Sequence, residues 1–223
     1  MTSPSCTGVV LAGGASSRFE GAPKGLFPLG GRRVLDRVID ALSMVADEVI
    51  VIANDARIRD SVRGRAVYGD VRPERASVVG LHSALWHARD SILVVAWDMP
   101  FVSPGLLGEL RLIGERTGAA ILPEGPRGPE PLCAYYPHSC IDVVEQQLAA
   151  GNFRLGALVS MLARRMVLPL EDVARFGSPD RIFANINTSA DLDAAARSPD
   201  QAVRAFEQDH QHIPANEDES VSR

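Results

Sequence analysis

Short apolar runs alternate along the chain with longer segments whose apolar residues recur at helical spacing. The apolar runs are GVVLA (Gly8–Ala12), EVIVIA (Glu48–Ala53), ILVVAW (Ile92–Trp97) and AAIL (Ala119–Leu122). Runs of this length and composition are typical of parallel strands that helices cover on both faces. We therefore predict that these four segments form buried strands of one sheet.

Helices are predicted between the strands. Val34–Val45 carries apolar residues at positions 35, 38, 39, 42 and 45, which is the spacing of one helical face. Val79–Ala88 and Pro104–Glu115 show similar patterns, and Ser103 before Pro104 is suited to cap the latter helix. This strand–helix alternation predicts an α/β fold: a Rossmann-like, doubly wound, mostly parallel sheet with helices on both faces.

The second half of the chain is less regular. Five prolines and two glycines in Pro123–Pro137 predict a loop that feeds a short strand, Leu132–Tyr136. Further helices are predicted at Ser139–Ala150, at Arg154–Arg164 and after Thr188, a capping residue with Asp191 three positions on. We predict one domain over residues 6–200 and a disordered acidic tail over residues 208–223, which has almost no apolar residues.

Composition and charge argue against several classes of protein. A net charge of −5 argues against a general nucleic-acid binder, which needs a basic face. No apolar run approaches the roughly 18 residues of a membrane span, and the first residues lack the basic and apolar regions of a secretory signal. The three cysteines have no metal-binding spacing and fit a reducing compartment, so we expect a cytoplasmic protein without membrane contact.

In a doubly wound sheet, ligands bind at the carboxyl ends of the strands. The residues that follow the predicted strands there are Gly13–Gly14, Asn54, Asp70 and Asp98. The glycine-rich loop after the first strand can turn its backbone amides toward an anion, which indicates phosphate. Its spacing matches neither the phosphate loop GxxxxGK[ST] nor the dinucleotide fingerprint GxGxxG.

Two basic residues bracket this loop. Lys24 is the only lysine among the 23 basic residues of the chain, and Arg18 precedes it by six positions. Arginine can grip a phosphate with two donors, whereas lysine is a compact charge that reaches a crowded oxygen. Lys24 is therefore a candidate phosphate ligand; the alternative is a lysine in an ordinary surface turn.

Asp98 ends a very apolar strand and is followed by Met99-Pro100. A carboxylate in this place needs a partner. Mg²⁺ bound to nucleotide phosphates is one candidate, because Mg²⁺ commonly takes one or two carboxylates together with phosphate oxygens. The alternative is an aspartate that caps a helix or a turn.

The stretch LAGGASSRFEGAPKGLFPLGG resembles the signature L-A-G-G-x-S-x-R-[MF]-G-x-x-K-x-L-x-x-L-x-G of the MobA-like nucleotidyltransferases, the family of molybdenum cofactor guanylyltransferase. Four later segments extend the resemblance over most of Thr7–Ala196: VVGLHSAL, VVAWDMPFVSPGLLGEL, EPLCAYYP and NINTSADL. The resemblance implies the nucleotide-diphospho-sugar transferase type of fold. It implies transfer of GMP from GTP to molybdenum-bearing molybdopterin, with release of pyrophosphate and Mg²⁺ as cofactor.

The resemblance also implies roles for individual residues. Those on the nucleotide side are Leu11, Ala12, Gly13, Gly14, Arg18, Lys24, Asp70 and Asp98. The first four would contact the nucleotide through their backbone, Arg18 and Lys24 would hold phosphates, and Asp98 would bind Mg²⁺. Asn185 and Asn187 match residues near the pterin acceptor. The molybdenum insertion protein and molybdoenzyme chaperones are implied as protein partners.

The chain departs from the family pattern at three places. Ile52 stands where some members have asparagine, and Asn54 lies two residues on. The family segment G-P-L-A-G is reduced to VVGLH, in which Gly80 is retained, and Glu20 replaces the glycine after R-[MF]. Whether Asn54 takes the role of the missing asparagine is left open.

Three other functions compete with guanylyl transfer. The cytidylyl branch uses CTP and shares the glycine loop, but it more often has D-x-D-T where this chain has Asn185–Thr188, and glutamine where this chain has Met99. Sugar-phosphate nucleotidyltransferases share the loop but are usually longer. A nucleotide-binding module without catalysis is the alternative from another class. The presence of both Lys24 and Asp98 favours an enzyme.

Overall fold

The computed structural model describes residues 5–13, 23–88 and 90–197. Within these ranges the strands are β1 (Cys6–Leu11), β2 (Pro28–Leu29), β3 (Arg32–Arg33), β4 (Glu48–Ile52), β5 (Val67–Tyr68), β6 (Ser91–Ala96), β7 (Ala120–Gly125), β8 (Gly128–Pro129), β9 (Cys133–Tyr136) and β10 (Arg165–Leu168). The helices are α1 (Val34–Ser43), α2 (Ala56–Ser61), α3 (Ser77–His87), α4 (Pro104–Thr117), α5 (Cys140–Ala149), α6 (Leu155–Met161), α7 (Leu170–Val173), α8 (Pro179–Ile182) and α9 (Ser189–Arg197). Short 3-10 turns cover Lys24–Leu26 and Ala174–Phe176.

The main sheet has the strand order β10-β7-β9-β6-β1-β4-β5, and β8 pairs with β7. β1 lies between β6 and β4, parallel to both, and β5 and β10 also pair in parallel with their neighbours. β9 is antiparallel to β6 and β7. The mostly parallel α/β sheet predicted from the sequence is therefore confirmed, with one antiparallel strand inserted near its middle.

The register of the sheet places the carboxyl ends of β1, β4 and β6 next to one another. Leu11 pairs with Ile52 of β4 and with Ala96 of β6. The loops after β1, β4 and β6 thus leave the sheet at the same edge, as expected for a ligand site in a doubly wound fold.

The central strands are buried on both faces, which explains their continuous apolar composition. Alternate residues of β1 enter different cores: Val10 packs in a cluster with α1 and α4, whereas Val9 packs in a second cluster with α3, α5 and α6. A third, smaller cluster joins Leu29, Val34 and Ile186. This last cluster attaches the segment before α9 to the β2–β3 hairpin.

Most predicted elements are present with shifted ends, and Ser103 caps α4 by accepting a hydrogen bond from the Leu106 amide. One prediction was wrong, and one predicted helix is shorter than expected. Pro123–Pro137 is not a loop up to Leu132, because β7 continues to Gly125 and turns into β8. The helix predicted over Arg154–Arg164 covers only Leu155–Met161, and an edge strand follows at Arg165.

Some predictions lie outside the described residues, namely the acidic tail over 208–223 and the domain limit at residue 200. Both stay predictions. Among the helices that the structure describes, none is long and apolar enough to cross a membrane.

Candidate active site

The end of β1 forms the floor of the site. The Ala12 amide donates to the Ile52 carbonyl at 2.9 Å, and the Trp97 amide donates to the Leu11 carbonyl at 3.2 Å. Among the residues that the structure describes, no heavy atom lies within 4 Å of a Cβ added at Gly13. Gly14 and Arg18 lie outside the described residues, and their roles stay predictions.

Lys24, Asp98 and Asn187 meet at this edge of the sheet. The Lys24 Nζ donates to Asp98 Oδ2 at 2.5 Å and to Asn187 Oδ1 at 2.7 Å. The side chains of Lys24 and Asp98 are each only 14% exposed. An ion pair so shielded from water is stronger than one at the surface, and each charge depends on the other for compensation. The structure thus brings together the predicted phosphate ligand, the predicted metal ligand and one predicted acceptor residue.

Asn187 is held by the segment on either side of it. The Ile186 amide donates to the Asp98 carbonyl at 2.9 Å, and the Ile186 side chain is buried in the third apolar cluster. The Asp191 carboxylate accepts from the amides of Asn187 and Thr188 at 2.9 and 2.8 Å, and the Asp191 amide donates to the Thr188 hydroxyl. This reciprocal cap at the start of α9 confirms the capping role predicted for Thr188.

The cap also sets the charge state of Asp191. Burial alone would raise the pKa of the Asp191 carboxyl, but the hydrogen bonds from Asn187 and Thr188, together with the charge of Lys24, hold it below its usual value. Asp191 therefore remains a carboxylate whose oxygen is engaged by the backbone that carries Asn187.

The turn that carries Lys24 packs against an aromatic ring. A Cβ added at Gly25 would lie 2.3 Å from Trp97 Cε3 and 2.9 Å from Trp97 Cζ3. Trp97 is 2% exposed and precedes Asp98 in the chain. Only glycine allows the lysine turn to approach this ring so closely, and the contact sets the position of Lys24 beside Asp98. Sequence reasoning missed this pair, although a glycine directly after the lone lysine was a visible signal.

Asp70 occupies the other flank of the β1 end. Asn54 Nδ2 donates to Asp70 Oδ2 at 2.6 Å, and the Asp70 amide donates to Asn54 Oδ1 at 2.8 Å. A Cβ on Gly80 would contact the Leu11 side chain at 3.6 Å and Asp70 Oδ1 at 3.9 Å, so α3 approaches this flank closely. Ile52, by contrast, is buried in β4. The polar side chain on this flank is therefore Asn54, which holds Asp70.

A cleft of about 550 Å³ adjoins the Lys24 cluster. Its lining residues are Pro126, Arg127, Glu130, Asp180, Phe183, Ala184, Asn185, Asn187, Thr188 and Asp191. Both asparagines predicted on the acceptor side thus line one cleft, and Asn187 also bonds Lys24. Sequence reasoning missed Arg127 and Glu130, which lie in the stretch that it assigned to a loop.

The cysteines offer no nucleophile. Cys6, Cys133 and Cys140 are free and buried. Burial raises the pKa of Cys6 to about 12 and that of Cys140 to about 11, and it raises the pKa of Cys133 further. Thiols that stay protonated are inert, so none of the three cysteines is a candidate nucleophile.

Known proteins are similar to this chain in sequence. The model of the MobA-like NTP transferase domain matches residues 8–166. A molybdenum cofactor guanylyltransferase from Desulfosudis oleivorans is 34% identical over 192 residues, which are 85% of this chain and 93% of that protein. One from Cereibacter sphaeroides is 31% identical over 189 residues, with 83% and 92% of the two chains covered.

Among solved structures, molybdopterin-guanine dinucleotide biosynthesis protein A from Archaeoglobus fulgidus superposes with a TM-score of 0.73 at 31% identity. The match covers 85% of this chain and 96% of that one. The resemblance found in the glycine loop is therefore confirmed: the chain belongs to the family of the MobA-like NTP transferase domain.

Proposed function

We propose that this protein transfers GMP from GTP to molybdenum-bearing molybdopterin, forming the guanine dinucleotide cofactor and pyrophosphate. The observation that carries the proposal is the shielded contact of Lys24 with Asp98 and Asn187 at the open end of β1. Relatives at 31% and 34% identity that are named molybdenum cofactor guanylyltransferase support the same reaction.

The reaction needs positioning and charge compensation rather than a covalent intermediate. An oxygen of the terminal phosphate of molybdopterin attacks the α-phosphorus of GTP, and the bond from that phosphorus to the bridging oxygen of the β-phosphate breaks. Pyrophosphate leaves with the electron pair of that bond. Lys24 would stabilise the charge that grows on the phosphate oxygens, because its ammonium group has three donors, of which Asp98 and Asn187 engage two.

Asp98 fits the part of a magnesium ligand. Its carboxylate lies at the strand end beside Lys24, where the phosphates of a bound nucleotide would meet both groups. The residues described here hold no group of three or more metal-ligating side chains, so Mg²⁺ would be bound by Asp98 together with nucleotide oxygens. Bound there, Mg²⁺ would supply further charge neutralisation at the phosphates.

The two substrates would bind on different flanks of the site. On one flank, Asp70 would contact the nucleotide while Asn54 holds its carboxylate in place. On the other, Asn185 and Asn187 would face the acceptor in the adjoining cleft. Because Asn187 bonds Lys24, it links the acceptor side to the phosphate site. We further propose that the protein works in the cytoplasm and exchanges substrate and product with the molybdenum insertion protein and molybdoenzyme chaperones.

Pyrophosphate release with Mg²⁺ and molybdenum-bearing molybdopterin tests the proposal, with GTP compared against CTP. We expect release with GTP, and loss of release in Lys24→Ala and Asp98→Ala variants that remain folded. Release with CTP alone would move the protein to the cytidylyl branch. GTP binding without any release would indicate a binding module and refute the proposed reaction.

A further inference from the structure

The cleft beside Lys24 has three carboxylates in its lining, and they differ in what they contact. Asp191 is engaged by the backbone amides of Asn187 and Thr188. Asp180 is exposed on the first turn of the short helix α8. Glu130 is partly buried and lies on the opposite wall, between β8 and β9.

The backbone of Glu130 is fixed by hydrogen bonds, but its carboxylate is not neutralised. Its side chain lies flat on Gly125, where an added Cβ would be 2.6 Å from Glu130 Oε1 and 2.8 Å from Glu130 Cγ. Its amide donates to the Pro123 carbonyl at 3.0 Å, and its carbonyl accepts from the Cys133 amide at 3.0 Å. Among the described residues, no hydrogen bond or ion pair engages its carboxylate.

The Glu130 carboxylate is partly removed from water. Leaving it without hydrogen-bond donors therefore costs free energy. Burial raises the pKa of the Glu130 carboxyl, and attraction to the nearby Arg127 guanidinium offsets only part of that rise. A partly buried carboxylate is compensated when a ligand offers hydrogen-bond donors to its oxygens. Because Glu130 lines the cleft, the acceptor substrate bound there would supply such hydrogen-bond donors.

We propose that Glu130 recognises the pterin ring of the acceptor by accepting hydrogen bonds from the ring N3–H and from the 2-amino group. These two neighbouring donors match the two oxygens of a carboxylate, in the same paired geometry that joins a guanidinium to a carboxylate. Glu130 would thus determine specificity at the cleft, while Asn187 and Lys24 act at the phosphate end. The inference rests on the proposed function, because it assumes a pterin acceptor.

The test compares two small probes that differ at one ring position. Pterin carries the 2-amino group, whereas lumazine carries a carbonyl oxygen there, which a carboxylate repels. Their dissociation constants are measured by fluorescence titration of the full chain with GTP and Mg²⁺ present. Neither probe carries a phosphate, so no transfer takes place during the titration.

We expect the unaltered protein to bind pterin at least about tenfold more tightly than lumazine. Glu130→Gln keeps the shape of the side chain, but its amide can donate to the lumazine carbonyl, so the preference should vanish or reverse. Glu130→Asp keeps the carboxylate and should retain a preference for pterin with weaker binding. Asp180→Asn, the matched control in the same cleft, should behave as the unaltered protein does.

GTP affinity and melting temperature, measured on every variant, show that the fold and the nucleotide side are intact. The inference is overturned if the unaltered protein does not prefer pterin, if Glu130→Gln keeps that preference, or if Asp180→Asn loses it equally. Failure of the proposed function would look different, because the unaltered protein would then release no pyrophosphate from GTP with the complete acceptor.

Discussion

Substituting Gly25 by alanine should inactivate the protein by displacing Lys24. The new Cβ would start 2.3 Å from Trp97 Cε3, whereas ordinary van der Waals contact begins at 3.4 Å. Trp97 is buried in the first apolar cluster and is not free to swing away, so the turn must move by about 1.1 Å. A displacement of that size would lengthen the distance from Lys24 Nζ to Asp98 Oδ2 from 2.5 Å to about 3.6 Å, which breaks the hydrogen bond between them.

Misplacing a group by about 1 Å costs on the order of 100-fold in rate. Overpacking of this kind lowers the free energy of unfolding by about 1–3 kcal/mol, which leaves most molecules folded. The assay is steady-state pyrophosphate release with GTP and the complete acceptor, with thermal unfolding measured in parallel. Gly156→Ala is the matched control, because a Cβ there meets no heavy atom of the described part of the chain within 4 Å.

A second substitution tests whether the loss of activity comes from the clash with Trp97. Trp97→Leu removes the benzo ring that the new methyl group would strike. Combined with Gly25→Ala, it should restore part of the lost activity, although Trp97→Leu alone destabilises the core by leaving a cavity. The reasoning is refuted if folded Gly25→Ala retains normal activity, or if the double variant is no more active than Gly25→Ala.

Three further predictions follow from the contacts around the site. Asn54→Ala removes the donor to Asp70 Oδ2 and leaves the Asp70 carboxylate with only the weaker bond from the Ser83 hydroxyl at 3.4 Å. It should raise the KM for GTP several-fold while changing the KM for the acceptor little; equal changes in both would contradict the assignment of this flank. Asp191 has a pKa below its usual value of 3.8, so its contribution to stability is complete above that value and is lost as the pH falls through the lower folded-state pKa. Urea unfolding should therefore show a smaller loss of stability on acidification in Asp191→Asn than in the unaltered protein, and identical acid profiles would count against the cap. The three buried thiols should react with a thiol reagent at about pH 8 only after unfolding, and rapid labelling of the folded protein would refute their burial.

Local sequence was most informative where local structure and tertiary packing favour the same conformation. β1, β4 and β6 are apolar throughout because both of their faces are covered, and α1 shows the helical period because one of its faces is. β5 and the β2–β3 hairpin have strands of two residues, which is too short to show any period. The residues of β10 are largely exposed at the sheet edge, and no strand was predicted there because the segment lacks the continuous apolar run of a buried strand.

The sequence by itself determined the family, the places of the main strands in the chain, and the two charged members of the Lys24–Asp98–Asn187 cluster. A glycine loop with a lone lysine, and an aspartate closing an apolar strand, carry their chemistry in residue type and position. Tertiary structure alone decided which of these residues meet. Lys24 and Asn187 are 163 positions apart, and their contact depends on the small apolar cluster that packs Ile186 against Leu29 and Val34. Tertiary structure also decided the contact of Gly25 with Trp97 and the position of Glu130 in the cleft wall. Packing between distant segments leaves no periodic signal in the sequence of either segment.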